Sequence, residues 1–135
     1  MLIELAELQA RPGRPPLARV RTPLGPAVAV WHGAPDARLG PHHVEWTLDE
    51  ELELGRNAVP AGEALPGVRV AGERLLLRGQ LLAPWEGTAV LDLGGEPVLV
   101  DLAGAASSAD PALAEGSWVE LTVEVERVWL YPFTL

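Results

Sequence analysis

The chain has 135 residues, no cysteine and a net charge of −9. A chain of this length can bury a hydrophobic core without cross-links, and the absence of cysteine excludes disulfides, thiolate metal sites and cysteine nucleophiles. All ten basic residues are arginine, which also excludes catalytic lysine chemistry. The acidic balance disfavours binding to nucleic-acid backbones and favours a basic partner.

The first residues carry Glu4 and Glu7 but lack the basic region of a secretion signal. No apolar run approaches the roughly 18 residues of a membrane-spanning helix. We therefore expect a cytoplasmic protein without a membrane partner. We expect residues 1–135 to form a single domain, with 55–72 as the alternative boundary between an N-terminal strand layer and a C-terminal half.

The N-terminal segments favour β-strands over helices. The 14 glycines and 13 prolines are spread along the chain, a pattern typical of short strands and tight turns. Strands are predicted at Met1–Gln9, Leu17–Arg21 and Ala27–Trp31, the last apolar on both faces and therefore central. Arg11–Pro16 is predicted to be a loop and Thr22–Pro26 a turn.

The segment His43–Leu54 alternates polar and apolar side chains, interrupted on the apolar side by Glu50. Successive side chains of a strand point to opposite faces, so the alternation predicts one long strand with a buried face and a wet face. The wet face carries the carboxylates of Glu45, Asp49, Glu51 and Glu53.

Long connections are predicted at His32–Pro41 and at 55–67, and the second is followed by a strand at Glu73–Leu82. Gly79 inside this strand indicates a bulge or a close approach of backbone. Thr88–Leu102 is predicted to be a hairpin, because Gly94-Gly95 supplies the positive φ angles of a two-residue turn. This turn pairs Leu91 with Val98, Ala89 with Val100, Val90 with Leu99, and Pro97 with Asp92.

A short helical turn is predicted near residues 110–115, with Asp110 as its N-cap and Pro111 at its first position. The last predicted strand, Ser117–Tyr131, changes the parity of its apolar residues near Arg127, which indicates a bulge or sharp coil at Glu126-Arg127.

From Glu73 onward the predicted order is a glycine-interrupted strand, a hairpin, a short helix and a coiled strand. This order resembles the OB-fold, a small Greek-key barrel. The resemblance implies an all-β fold with a small OB-like or related barrel in the C-terminal half, extended by the N-terminal strands. The chain departs from the pattern between Trp118 and Tyr131, where no turn separates a fourth strand from a fifth.

The preferred functional hypothesis is a non-catalytic module whose acidic β-surface recognises a basic protein, as an immunity protein or inhibitor does. Trp85 lies in a predicted loop, and tryptophan is enriched among interface anchors. The competing interpretations of the carboxylates are a solvated strand face, a charged edge that prevents edge-to-edge aggregation, and, together with Glu50, a site for a divalent cation. The candidate partner-binding residues are Glu45, Asp49, Glu51, Glu53 and Trp85.

Two alternative functions come from other classes. The OB resemblance implies a binder of single-stranded nucleic acid, with the candidate residues Arg74, Arg78, Trp85, Arg127 and Trp129. A metal-dependent hydrolase would use His42 or His43 with nearby carboxylates, but adjacent strand residues face opposite sides. We therefore predict no metal site, cofactor or catalytic residue. The sequence leaves the oligomeric state open.

Overall fold

The computed structural model describes residues 1–104 and 110–135, which form an all-β fold, as predicted. The strands are β1 (Leu2–Arg11), β2 (Arg14–Thr22), β3 (Gly25–Trp31), β4 (Gly40–Leu48), β5 (Glu51–Leu52), β6 (Ala58–Pro60), β7 (Gly67–Ala71), β8 (Arg74–Trp85), β9 (Thr88–Leu93), β10 (Glu96–Leu102), β11 (Trp118–Glu124) and β12 (Val128–Phe133). Short 3₁₀ turns lie at Pro111–Leu113 and Val125–Arg127. None of the described residues belongs to a helix long and apolar enough to cross a membrane.

The strands form two sheets that share buried side chains. β1, β2, β3, β12 and β4 close in that order into a barrel. The second sheet has the order β5-β10-β9-β8-β11-β6, and β7 pairs with β8 beside it. Apolar residues from both sheets belong to one contiguous cluster, in which Trp31 and Leu91 are fully shielded. The two sheets are therefore held by a common core.

The barrel is closed by the N-terminal strands and the last strand of the chain. The prediction that a barrel forms in the C-terminal half is wrong in its location, because β8 to β11 lie in the second sheet. The connection predicted at 55–67 also contains β6 and the start of β7, which pair with β11 and β8. The resemblance to an OB-fold therefore extends only to an all-β fold with a small barrel.

The predicted loop at Arg11–Pro16 is wrong. β1 continues to Arg11 and β2 begins at Arg14, so the turn is only two residues long, and Gly13 adopts φ 69° in it. The β1–β2 register shifts between Gln9 and Arg11, and the pairing of β2 with β3 begins at Leu17. The prolines at 15 and 16 therefore lie at an irregularity where a missing N–H is tolerated.

The predicted long strand at His43–Leu54 is also wrong. β4 ends at Leu48, and after Asp49 and Glu50 the chain enters the second sheet as β5, which pairs in parallel with the end of β10. Leu52 is fully buried there. The two intervening residues keep the alternation in phase, so the change of sheet leaves no mark on the hydrophobic pattern.

The predicted hairpin is confirmed in every pair of its register. β9 and β10 join Leu91 to Val98, Val90 to Leu99 and Asp92 to Pro97. Gly94 and Gly95 adopt φ 65° and 97°, as a type I′ turn requires. A Cβ added at Gly79 would lie 2.6 Å from the carbonyl oxygen of Asp92, so this glycine permits a close backbone approach.

The last predicted strand, Ser117–Tyr131, is divided in the structure by a turn that was not predicted. β11 belongs to the second sheet, Val125–Arg127 form a 3₁₀ turn, and β12 belongs to the barrel. The parity change near Arg127 is confirmed, but its cause is this turn instead of a bulge. The predicted helical turn is confirmed at Pro111–Leu113, where the Asp110 side chain accepts from the Ala112 N–H at 2.8 Å.

Candidate functional site

A groove of about 540 Å³ lies between β4 of the barrel and β10 of the second sheet, and we call it the acidic notch. It is lined by Glu45, Trp46, Thr47, Leu48, Glu96, Pro97, Leu99 and Asp101. One end is bounded by the passage of the chain from β4 into β5. At the other end the Met1 ammonium contacts both walls, because it donates to the Val44 carbonyl at 2.9 Å and pairs with Glu96 at 3.0 Å.

Strand alternation determines which side chains of β4 and β10 form the walls of the notch. Glu45 and Thr47 are exposed on β4, while Val44 and Trp46 point into the core. On β10 the odd-numbered residues face outward, so the side chain of Leu99 is 75% exposed. The notch therefore presents apolar atoms of both sheets between carboxylates.

Three carboxylates, those of Glu45, Glu96 and Asp101, surround the notch. Within residues 1–104 and 110–135, neither Glu45 nor Asp101 makes an ion pair, and Glu96 pairs with the Met1 ammonium. None of the strands β4, β5, β9 and β10 contains an arginine or a lysine. The Met1 ammonium therefore offsets the charge of Glu96, while the carboxylates of Glu45 and Asp101 have no ion-pair partner among the described residues.

The acidic notch continues into a row of exposed residues across the second sheet. Asp101 on β10 is the register partner of both Glu51 on β5 and Thr88 on β9. Thr88 in turn is paired with Trp85 on β8, whose side chain is 73% exposed. Directly paired residues share a face, so Glu51 and Trp85 lie on one surface about 14 Å apart, three strand spacings.

The structure thus brings together three of the predicted partner-binding residues, Glu45, Glu51 and Trp85, around Asp101. Trp85 is the last residue of β8 and stands at the tip of the β8–β9 hairpin. Sequence reasoning missed the contribution of Glu96 and Asp101. The hairpin register gave a usable signal for Asp101, since it places the residue on the outward face.

Asp49 and Glu53 lie outside this surface. Glu53 forms an ion pair with Arg56 at 2.7 Å, and Glu50 binds the same guanidinium at 3.2 Å. The hydrogen bond to Glu53, which has the larger effect, and the hydrogen bond to Glu50 both raise the pKa of Arg56 above its ordinary value. Asp49 is exposed, and its backbone N–H and C=O both bind Arg127. The predicted carboxylate ladder is therefore divided into separate groups.

The arginines of the nucleic-acid alternative lie opposite carboxylates. Arg78 is the register partner of Glu120, with which it pairs at 3.8 Å, and Arg74 is the register partner of Glu124. Arg74 and Trp85 stand at opposite ends of the twelve-residue strand β8.

The other two residues of that alternative lie at the passage from β11 to β12. The guanidinium of Arg127 donates to the Asp49 carbonyl at 2.9 Å, and the indole N–H of Trp129 donates to the Glu126 carbonyl at 3.0 Å. The structure does not gather the candidate arginines around Trp85.

An aromatic column lies on the outer face of β12 and consists of Trp129, Tyr131 and Phe133. Its register partners on β4 are Thr47, Glu45 and His43. The column therefore borders the acidic notch at Glu45, which is the register partner of Tyr131 and also lines the notch.

The candidate histidines of the hydrolase alternative contact different partners. His42 packs edge-on against Trp31 with ring centroids 5.3 Å apart, and its Nε2 lies 2.6 Å from the Arg38 carbonyl oxygen. His43 packs against Phe133 at 5.9 Å. In the part of the chain that the structure describes, no three His, Asp or Glu side chains are placed to hold a metal ion.

These features define an all-β protein in which a five-stranded barrel and a second sheet enclose an acidic groove between them. Comparisons of the chain with protein-family models, with curated proteins and with solved structures found no match.

Proposed function

We propose that the protein is a non-catalytic binding module that receives a basic segment of a partner protein at the acidic notch, as an immunity protein or inhibitor does. The observation that carries the proposal is the gathering of Glu45, Glu96 and Asp101 around one groove, where the Met1 ammonium pairs with Glu96 and the other two carboxylates have no ion-pair partner among the described residues. A groove lined by charges of one sign focuses their field and raises the local concentration of a cationic ligand.

The surroundings of the notch suit a protein partner better than a small ion. Leu99 and Trp85 are exposed apolar side chains on the same outer surface, and interface anchors of this kind bury apolar area at the centre of a contact. The carboxylates would attract a basic protein over a distance of about a Debye length and fix its register. The surface thus offers both attraction and apolar contact.

The test is an affinity capture from a lysate of the source cell with three immobilised baits. The first is wild type, and the second is the site variant Glu45→Gln/Glu51→Gln/Asp101→Asn. The third is a control that removes the same charge from exposed acids elsewhere, namely Glu7→Gln/Asp36→Asn/Glu63→Gln. Each bait is washed at low and high salt, and protein and nucleic acid are identified separately.

We expect a basic protein to be retained by wild type and by the control but not by the site variant, and to be released by salt. A protein retained equally by all three baits would contradict the proposal, and so would the lack of any retained protein. Nucleic acid retained by all three would instead support the OB-like alternative, in which binding weakens with salt through counterion release.

A further inference from the structure

We infer that Tyr131, Phe133 and Glu45 form a subsite that takes an arginine side chain of the basic partner in preference to a lysine. The inference rests on the proposed function and specifies what part of the partner is recognised. It concerns the aromatic column, which borders the acidic notch. Attraction of a cation by the carboxylates alone gives these exposed rings no role.

The β4–β12 register fixes the position of the carboxylate beside the rings. Tyr131 and Glu45 are direct partners, as are Phe133 and His43. The N–H of Asp49 donates to the Arg127 carbonyl in the same register, so the odd-numbered residues of β4 form the hydrogen-bonded pairs. Opposed residues in such a pair have Cα atoms about 5.5 Å apart and share a face. The Glu45 carboxylate thus stands next to the Tyr131 ring on the outside of the barrel.

The rings are braced by neighbouring side chains and remain partly exposed. Tyr131 stacks on His32 with centroids 4.8 Å apart and planes 19° apart, and His32 also packs against Trp129 at 5.1 Å. Phe133 is braced by His43. The exposed fractions of Tyr131 and Phe133 are still 38% and 43%. Rings held in this way lose little side-chain entropy when a ligand covers them.

A guanidinium meets both features of the subsite. It stacks flat on an aromatic ring while its edge donates hydrogen bonds to a carboxylate, whereas the strongly hydrated ammonium of lysine is a point charge that stacks poorly. Glu45 makes no ion pair with an arginine of the described chain, so its carboxylate is available to an external cation. Since Glu45 also lines the acidic notch, an arginine on Tyr131 would lie at the border of the partner contact.

The test compares fluorescently labelled octa-arginine and octa-lysine peptides, which carry the same charge, by fluorescence polarisation at fixed salt. We expect wild type to bind octa-arginine about two- to fivefold more tightly, the ratio given by a cation–π contact at an exposed site. Tyr131→Leu/Phe133→Leu removes both rings and should abolish this preference while leaving the octa-lysine affinity unchanged. Tyr131→Phe keeps the ring and should keep the preference, and urea unfolding of each variant checks that the fold is intact.

The outcomes separate the subsite from the proposed function. Equal affinity of wild type for the two peptides would overturn the arginine subsite while the acidic notch still binds cations. A preference that persists in the folded Tyr131→Leu/Phe133→Leu variant would overturn the role of the rings. If neither peptide binds, both the proposed function and the subsite are overturned.

Discussion

Gly79→Ala tests the tightest backbone approach in the second sheet. Gly79 lies in the buried interior of β8, opposite Val119 of β11. A Cβ at this position would lie 2.6 Å from the Asp92 carbonyl oxygen and about as close to two leucines, at 3.0 Å from a Leu91 methyl carbon and 3.1 Å from a Leu93 methyl carbon. The nearest atom belongs to the backbone of a paired strand, so rotation of a side chain cannot relieve the overlap.

The expected loss follows from the cost of overpacking a core. Inserting a methyl group into a filled site costs about 1–3 kcal/mol, out of a total free energy of unfolding of roughly 5–15 kcal/mol. With a slope of about 1–3 kcal/mol per molar urea, the unfolding midpoint should fall by about 1 M. The assay is equilibrium urea unfolding followed by tryptophan fluorescence.

Gly62→Ala is the matched control. A Cβ there meets no atom within 4 Å, so the free energy of unfolding should change by less than about 0.5 kcal/mol. If Gly79→Ala unfolds at the same urea concentration as Gly62→Ala, β8 and β9 do not approach as closely as the structure shows, and the argument fails.

Two further predictions concern the core and the connection between the sheets. Leu91 is fully buried and Leu99 is 75% exposed on the adjacent strand, so Leu91→Ala should cost about 2–5 kcal/mol in urea unfolding. Leu99→Ala should cost less than about 0.5 kcal/mol, and similar losses for the two would contradict the assigned faces. Arg127→Ala removes the 2.9 Å hydrogen bond to the Asp49 carbonyl and should lower the free energy of unfolding by about 1 kcal/mol, which an unchanged midpoint would refute.

The elements that the sequence predicted correctly depend on local chemistry. A two-residue turn of Gly94 and Gly95 fixes the register of its strands, so the pairing of Leu91 with Val98 follows from the turn alone. Asp110 followed by Pro111 is likewise sufficient for a capped helical turn. In each case the residues that decide the structure are adjacent in the chain.

Membership in a sheet could not be predicted in the same way. Leu48 and Leu52 share one parity, yet one lies in the barrel and the other in the second sheet. Alternation reports which face of a strand is buried but not which strands lie beside it. At Val125–Arg127 the passage between sheets does shift the parity, and there the sequence did show that the strand changes direction.

The residues of the candidate site likewise differ in whether local sequence is enough to identify them. Glu45, Glu51 and Trp85 could be selected from their own segments, since each is a charged or aromatic residue on an exposed strand position or at a turn. Asp101 is joined to Glu51 only through the parallel pairing of β5 with β10. That pairing joins residues about fifty positions apart in the chain, and two-residue strands leave no pattern that reveals their partner.

The acidic notch depends on how the barrel is attached to the second sheet. The chain passes between the sheets at Asp49–Glu50 and again at Val125–Arg127, and the two passages are joined by the hydrogen bond from the Asp49 N–H to the Arg127 carbonyl at 2.8 Å. The Arg127 guanidinium donates a second hydrogen bond, to the Asp49 carbonyl. Glu45 belongs to one sheet and Asp101 to the other, so the distance between these carboxylates is set by this connection together with the shared core and the Met1 ammonium. The break between β4 and β5, which was predicted to be one strand, is therefore the feature that creates the groove, because a continuous strand would have kept its carboxylates on one flat face.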